Sequence, residues 1–301
     1  MLAVLLALAC AFSYGASDYT AGLATRRATA LTTRRYGAMV QVTLAAEIAR
    51  GIPVVLIVAL VSRQHPALPS LAWGAAAGIT GIAGIMALCL AFLDTDFSVA
   101  SPVSAVSAGV FSVLVGTLLG ERPGPLAGGG ITLAIPAIVL VSARRDRATG
   151  AQRASLAVLF RRPGPGLRWG LAAGAAFALS LTSLHQAGPG SGLWPLAVAE
   201  VAGIAAAAGA AAVTRSLRPP PRPARWLSLT SGTIAAAGLF CYYIATHHGL
   251  LSVTAVVYSL FPAGTVLLAW LVSKEELTRV NLAGFGMAAA SVALIAAGQI
   301  R

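Results

Sequence analysis

Nine of the 301 residues are acidic, and two of them, Glu47 and Glu200, each lie about nine residues inside a long apolar stretch. An ionisable side chain in an apolar medium needs a partner or a water-filled cavity, and such a carboxylate can hold a cation or relay a proton. Glu47 has Arg50 three residues on, on the same face of a helix, so it reads either as a self-neutralised structural pair or as part of a functional site. Glu200 has no charged neighbour in its own segment, which makes it the candidate for proton coupling, against a role as a polar lock between helices. Asp18 follows Tyr14 by one turn and is flanked by Ser17 and Tyr19. It suits a cation or proton site at a cavity mouth, or else an interfacial position beside Arg26 and Arg27.

The densest polar set inside an apolar segment is Ser180, Thr182, Ser183, His185 and Gln186. His185 fits proton coupling, the histidine imidazole being the side chain suited to exchange protons near neutral pH, although a helix end would leave it merely solvated. Tyr242 and Tyr258 offer aromatic and hydroxyl contacts to an amphipathic solute, with plain aromatic packing as the alternative. His247 and His248 are adjacent, so on a helix they diverge by about 100° and cannot chelate from one face. Cys10, Cys89 and Cys241 are far apart and show neither disulfide nor metal spacing.

An intramembrane hydrolase is the rival class. Ser191 is preceded at two residues by Pro189, where a serine protease of that kind has glycine, and Glu275-Glu276-Leu277-Thr278-Arg279 has two spacers where a prenyl-protein type protease has three. With no catalytic, metal or nucleotide motif, neither an enzyme nor a bound cofactor is expected.

The elements that must position these residues are membrane helices. The chain is 57% hydrophobic and 10% charged, with a mean hydropathy of +0.82, whereas a soluble domain carries about 25% charged residues to cover its surface. Segments 1–17, 70–93, 97–120, 123–143, 169–184, 226–246 and 249–273 contain no Asp, Glu, Lys or Arg. A crossing needs about 20 apolar residues, and the apolar blocks with their breakers, including the two that carry Glu47 and Glu200, predict ten transmembrane helices near 2–22, 38–61, 70–91, 98–119, 125–142, 169–187, 191–213, 226–247, 251–272 and 280–299. The first of these lacks the basic leader of a secretory signal and is expected to stay with the protein. Pro102 and Pro262 fall in the fourth helix of each half and are the hinge candidates, because a missing backbone donor permits bending.

The Arg-rich stretch 143–168 divides the chain into 1–142 and 169–301, five helices each. Ser98-Val99 through Glu121 registers on Ser252-Val253 through Glu275 at an offset of 154, and Glu47 registers on Glu200 at 153. The first helix registers on the sixth only if Ala24 to Arg35 is assigned to the first connection. Since five is odd, consecutive halves enter the bilayer from opposite sides, which predicts inverted repeats with the substrate site at their interface. Of the 21 Lys and Arg residues, 17 fall in connections after odd-numbered helices, three (Arg63, Arg122, Arg301) on the other side, and Arg50 within a helix. The positive-inside rule then puts both termini outside. The net charge of +12 is therefore read as orientation and contact with anionic lipid, with no nucleic-acid partner.

Leu118-Leu119-Gly120-Glu121-Arg122-Pro123 and its counterpart Val272-Ser273-Lys274-Glu275-Glu276-Leu277, together with Leu250 to Ala255, Ser259-Leu260-Phe261-Pro262 and Tyr14 to Tyr19, make the chain resemble the EamA-type branch of the drug/metabolite transporter superfamily. Lys274-Glu275-Glu276 departs from the family's Gly-Glu-Arg turn, and the family is drawn with cytoplasmic termini, against the Arg count. The resemblance implies an all-α integral membrane protein of two inverted EamA repeats. It implies a secondary transporter of the plasma or inner membrane that exports small metabolites or amphipathic solutes, amino-acid-like or drug-like, on an ion or solute gradient. The partners expected are the solute, the bilayer and protons, and the sequence leaves the oligomeric state open, a monomer included. Tyr14, Asp18, Glu47, His185, Glu200, Tyr242 and Tyr258 are the expected pathway residues.

Overall fold

The computed structural model describes residues 2–32, 34–63, 67–118, 120, 124–141, 144–145, 152–153, 164–188, 191–248 and 261–298. Among them are ten helices: α1 (Leu2–Ala30), α2 (Arg35–Val61), α3 (Leu68–Asp94), α4 (Phe97–Leu118), α5 (Pro125–Val141), α6 (Pro165–Gln186), α7 (Trp194–Val213), α8 (Arg222–His248), α9 (Phe261–Leu271) and α10 (Arg279–Gly298). The one other regular feature is a two-residue antiparallel pair in the Arg-rich stretch, β1 (Arg144–Arg145) with β2 (Gln152–Arg153). Helices α2, α3, α4, α6 and α7 are each long and apolar enough to cross a membrane. Proline in the first turn of α3, α6 and α7 gives up a donor that no helix would use there, so it marks their starts without cost.

Helix α1 runs past the expected end near residue 22 to Ala30, so most of the stretch assigned to the first connection is helical. Ala24 and Ala28 are buried against Ala224 of α8 and extend the seam by two further turns. Asp18 therefore sits well inside α1, away from a mouth.

The largest helix seams join the first five helices to the last five: α1 to α8 and α9, α2 to α7 and α8, α3 to α6 and α7, α4 to α6, and α5 to α10. Adding or subtracting five from every helix number maps these seams onto one another. Helices α2 and α7 are antiparallel, with Gly37 beside Ser216 at one end and Val54 and Val58 beside Ala197 at the other. Helices α5 and α10 are also antiparallel, with Gly130 beside Ser291, while Asn281 Nδ2 donates to the Leu140 carbonyl at 3.4 Å. The seams are built from Ala, Gly and Ser because lipid tails are as apolar as Leu, so helices in a bilayer gain by close van der Waals approach.

Two glycines mark the closest crossings. A methyl at Gly78 would overlap the Ala199 carbonyl oxygen of α7, and one at Gly232 of α8 would overlap the Ala46 carbonyl oxygen of α2. Gly232 is Gly78 shifted by 154, and Ala199 is Ala46 shifted by 153. Gly78→Ala and Gly232→Ala are each expected to destabilise the detergent-solubilised protein by about 1–3 kcal/mol, the usual cost of overpacking, and by closely similar amounts. Thermal melts of the two variants check this, and an unperturbed midpoint in either would show that its seam has room.

The fourth helices of the two halves end alike. Gly120 has φ 93° and Lys274, its counterpart at the offset of 154, has φ 51°. The position needs a left-handed residue to stop the helix, so Lys274 takes up the conformation that glycine would adopt more cheaply.

Candidate functional site

The antiparallel crossing of α2 and α7 brings the two buried acids to one guanidinium. Arg50 Nη2 donates to Glu47 Oε2 at 2.7 Å, the pairing that a spacing of three allows, and Arg50 Nε donates to Glu200 Oε2 at 2.9 Å. Glu47 is 2% exposed and Glu200 4%. Glycine makes the approach possible: a methyl on Gly51 would lie 2.7 Å from Ile204 Cδ1 and 3.5 Å from Glu200 Oε2. Gly203 leaves similar space opposite Glu47.

Glu200 is thus not alone among apolar neighbours. Its partner comes from a helix 150 residues earlier, where no local reading finds it. The signal was the register that lays Glu200 on Glu47: two antiparallel helices crossing near that position bring the acids together.

Asp18 faces this triad from α1, with Arg50 as the basic charge acting on it and on Tyr14. It is half-buried, and no hydrogen bond or ion pair to Asp18 is formed among the described residues. Cys10, Tyr14 and Asp18 are spaced by four and share one face of α1. Tyr242 of α8 meets that face at Cys10, about 12 Å along the helix from Asp18 at 1.5 Å per residue. Cys89 of α3 lies beside Thr25 and within reach of the Asp18 charge, toward the other end of α1.

The structure therefore gathers Tyr14, Asp18, Glu47 and Glu200 round Arg50, which the sequence reading did not select as a site residue, and puts Tyr242 on the same side of α1. His185 is exposed in the last turn of α6, apart from this group. Tyr258 lies outside the described residues. Pro102 and Pro262 are both buried and line one small apolar pocket with Ala105, Val106, Phe285 and Ala288. Among the described residues no three His, Cys, Asp or Glu side chains converge as metal ligands.

A bundle of apolar helices, five of them long and apolar enough to cross a membrane, with a charge-paired centre between its halves has the make-up of a multi-pass membrane protein. Residues 164–297 match the model of the EamA-like transporter family, a span that takes in α6 to α10. The resemblance read from the turns and the repeat is borne out over that half, and it supports a membrane transporter of the drug/metabolite type. No curated protein matches the chain.

Proposed function

We propose that the protein is a secondary transporter of two inverted five-helix repeats with ten crossings, in which Asp18 is the carboxylate that alternately holds a proton and a solute. The observation that carries this reading is the asymmetry of the central acids: Glu47 and Glu200 share Arg50, while Asp18, facing the same cation, has neither hydrogen bond nor ion pair among the described residues. Three carboxylates against one guanidinium leave the centre with an excess of negative charge. It therefore favours a proton, or a solute that presents a positive group. Tyr14 and Tyr242 add aromatic surface, so a small amphipathic amine, amino-acid-like or drug-like, fits both features.

Inversion is supported by the antiparallel α2–α7 and α5–α10 seams and by the paired glycine crossings at one offset. Glu200, the acid that the sequence put first, becomes in this reading an anchor for Arg50. Export from the plasma or inner membrane is the direction that the family resemblance favours. Accumulation of a labelled aromatic amine in inverted membrane vesicles tests the reading. An imposed proton gradient, acidic inside, is expected to drive uptake severalfold above vesicles without the protein, and dissipating it to abolish the difference. Equal uptake with and without the gradient would remove the proton from the mechanism.

A further inference from the structure

Beyond the central site, one polar cluster ties helix ends from both halves together. Glu275, in the turn after α9, points its carboxylate at the start of α4: the Phe97 N–H donates to Oε1 at 2.9 Å and the Ser98 N–H donates to Oε2 at 3.0 Å. The first N–H groups of a helix have no partner within it and carry partial positive charge, so an acid there satisfies both donors and dipole. Arg26 of α1 does the converse for α3. Its Nε donates to the Phe92 carbonyl at 2.7 Å and its Nη2 to the Thr95 carbonyl at 2.8 Å, at the negative end of that helix. Arg26 Nη1 also lies 3.9 Å from Glu275 Oε1, and its guanidinium carbon sits 4.0 Å from the centroid of the Phe97 ring. The hydroxyls of Tyr19 and Ser273 meet at 2.7 Å beneath the pair.

We infer that Glu275 and Arg26 form the closing latch of the Arg-rich end of the bundle, with Glu275 as the positioning residue that holds α4 against α9 and α1. The inference rests on the transporter reading, but its test needs no transport. Three features make the pair a latch and not a capping contact alone. It joins elements of different halves, so it must break if they part at this end. Arg26 stands eight residues beyond Asp18 on α1, about 12 Å along the helix, so the cluster closes the route from the central site to this end. Helix α4 carries the buried Pro102 five residues beyond the capped Phe97, next to the apolar pocket shared with Pro262, where the helix has both a missing hydrogen bond and room to bend.

Cys89 reports on this route, because it is buried beside Thr25 between Asp18 and the latch. In a Cys10→Ser, Cys241→Ser background it is the sole thiol. A membrane-impermeant maleimide is applied to the full-length protein in vesicles of either orientation, with the native sequence, Glu275→Gln or Arg26→Gln. The loss of a charge-assisted cap is expected to raise Cys89 labelling about tenfold from the Arg-rich face, the factor that corresponds to roughly 1.4 kcal/mol, and to leave labelling from the opposite face unchanged. Labelling that rises equally from both faces would mean that the pair is a structural cap and overturn the latch. Unchanged labelling in both variants, each monodisperse, would overturn it as well. Failure of the vesicle uptake assay with a face-specific rise in labelling would leave the latch standing and remove only the proton-coupled reading.

Discussion

Asp18→Asn is expected to abolish gradient-driven accumulation while leaving the protein folded, and Glu200→Gln to reduce it only partly. The substitution at Asp18 removes the central carboxylate that has no hydrogen-bond or ion-pair partner among the described residues, so it removes a binding group without stranding another. Asn has nearly the shape of Asp and can neither release a proton nor bring a negative charge to the solute. Glu200→Gln leaves Arg50 paired to Glu47 at 2.7 Å and weakens only the 2.9 Å bond, so the centre keeps a neutral pair and Asp18 its environment. The two variants, assayed at equal expression in inverted vesicles, should differ by about tenfold or more in initial rate, the factor that about 1.4 kcal/mol gives. Retained uptake in Asp18→Asn with none in Glu200→Gln would return the proton to Glu200, the residue that local sequence favours. Equilibrium binding of the labelled amine separates the effects further: Asp18→Asn should weaken binding itself, whereas a purely conformational defect would leave it intact.

The fold was legible in the sequence because helices in a bilayer announce themselves by what they lack. Apolar blocks and their breakers locate the helices to within a few residues at most ends, the expected start of the ninth helix at 251 lying outside the described residues, and the main miss, the last turns of α1, follows from the same rule. Arg26 and Arg27 look like the edge of a span, yet Arg26 is absorbed by the free carbonyls of α3 and α1 continues. Within the site, the spacing of Glu47 and Arg50 was readable on one helix. The link from Arg50 to Glu200 was not, since it needs two helices 150 residues apart to cross at one level. The isolation of Asp18 was illegible for a related reason: an acid in an apolar segment looks the same whether or not another helix brings it a partner. Glu275 stood out as part of a resembling turn and of a near-miss protease motif, and its bonds to the Phe97 and Ser98 amides depend on packing between the halves.

Arg50 carries the largest structural effect. Arg50→Met is expected to destabilise the protein by about 3–5 kcal/mol, the typical cost of breaking a buried ion pair by removing one partner. Here the removal strands two acids, Glu47 at 2% and Glu200 at 4% exposure, which would face each other without a countercharge. Arg50→Lys should recover only part of the loss. An ammonium is a single point charge, whereas the guanidinium uses Nη2 for Glu47 and Nε for Glu200 in a fixed planar fork. Neutralising the whole set in Glu47→Gln, Arg50→Met, Glu200→Gln is expected to restore stability to near that of the native protein, because buried ion pairs are weak contributors once no charge is left over. Melting of the purified variants in detergent reads these differences, and expression in membranes gives an independent check. If Arg50→Met melts with the native protein, the triad is not buried as a unit and water reaches both acids. If the triple variant is as unstable as Arg50→Met, shape and not charge is what Arg50 supplies, and a Met too short to fill the space between α2 and α7 accounts for the loss.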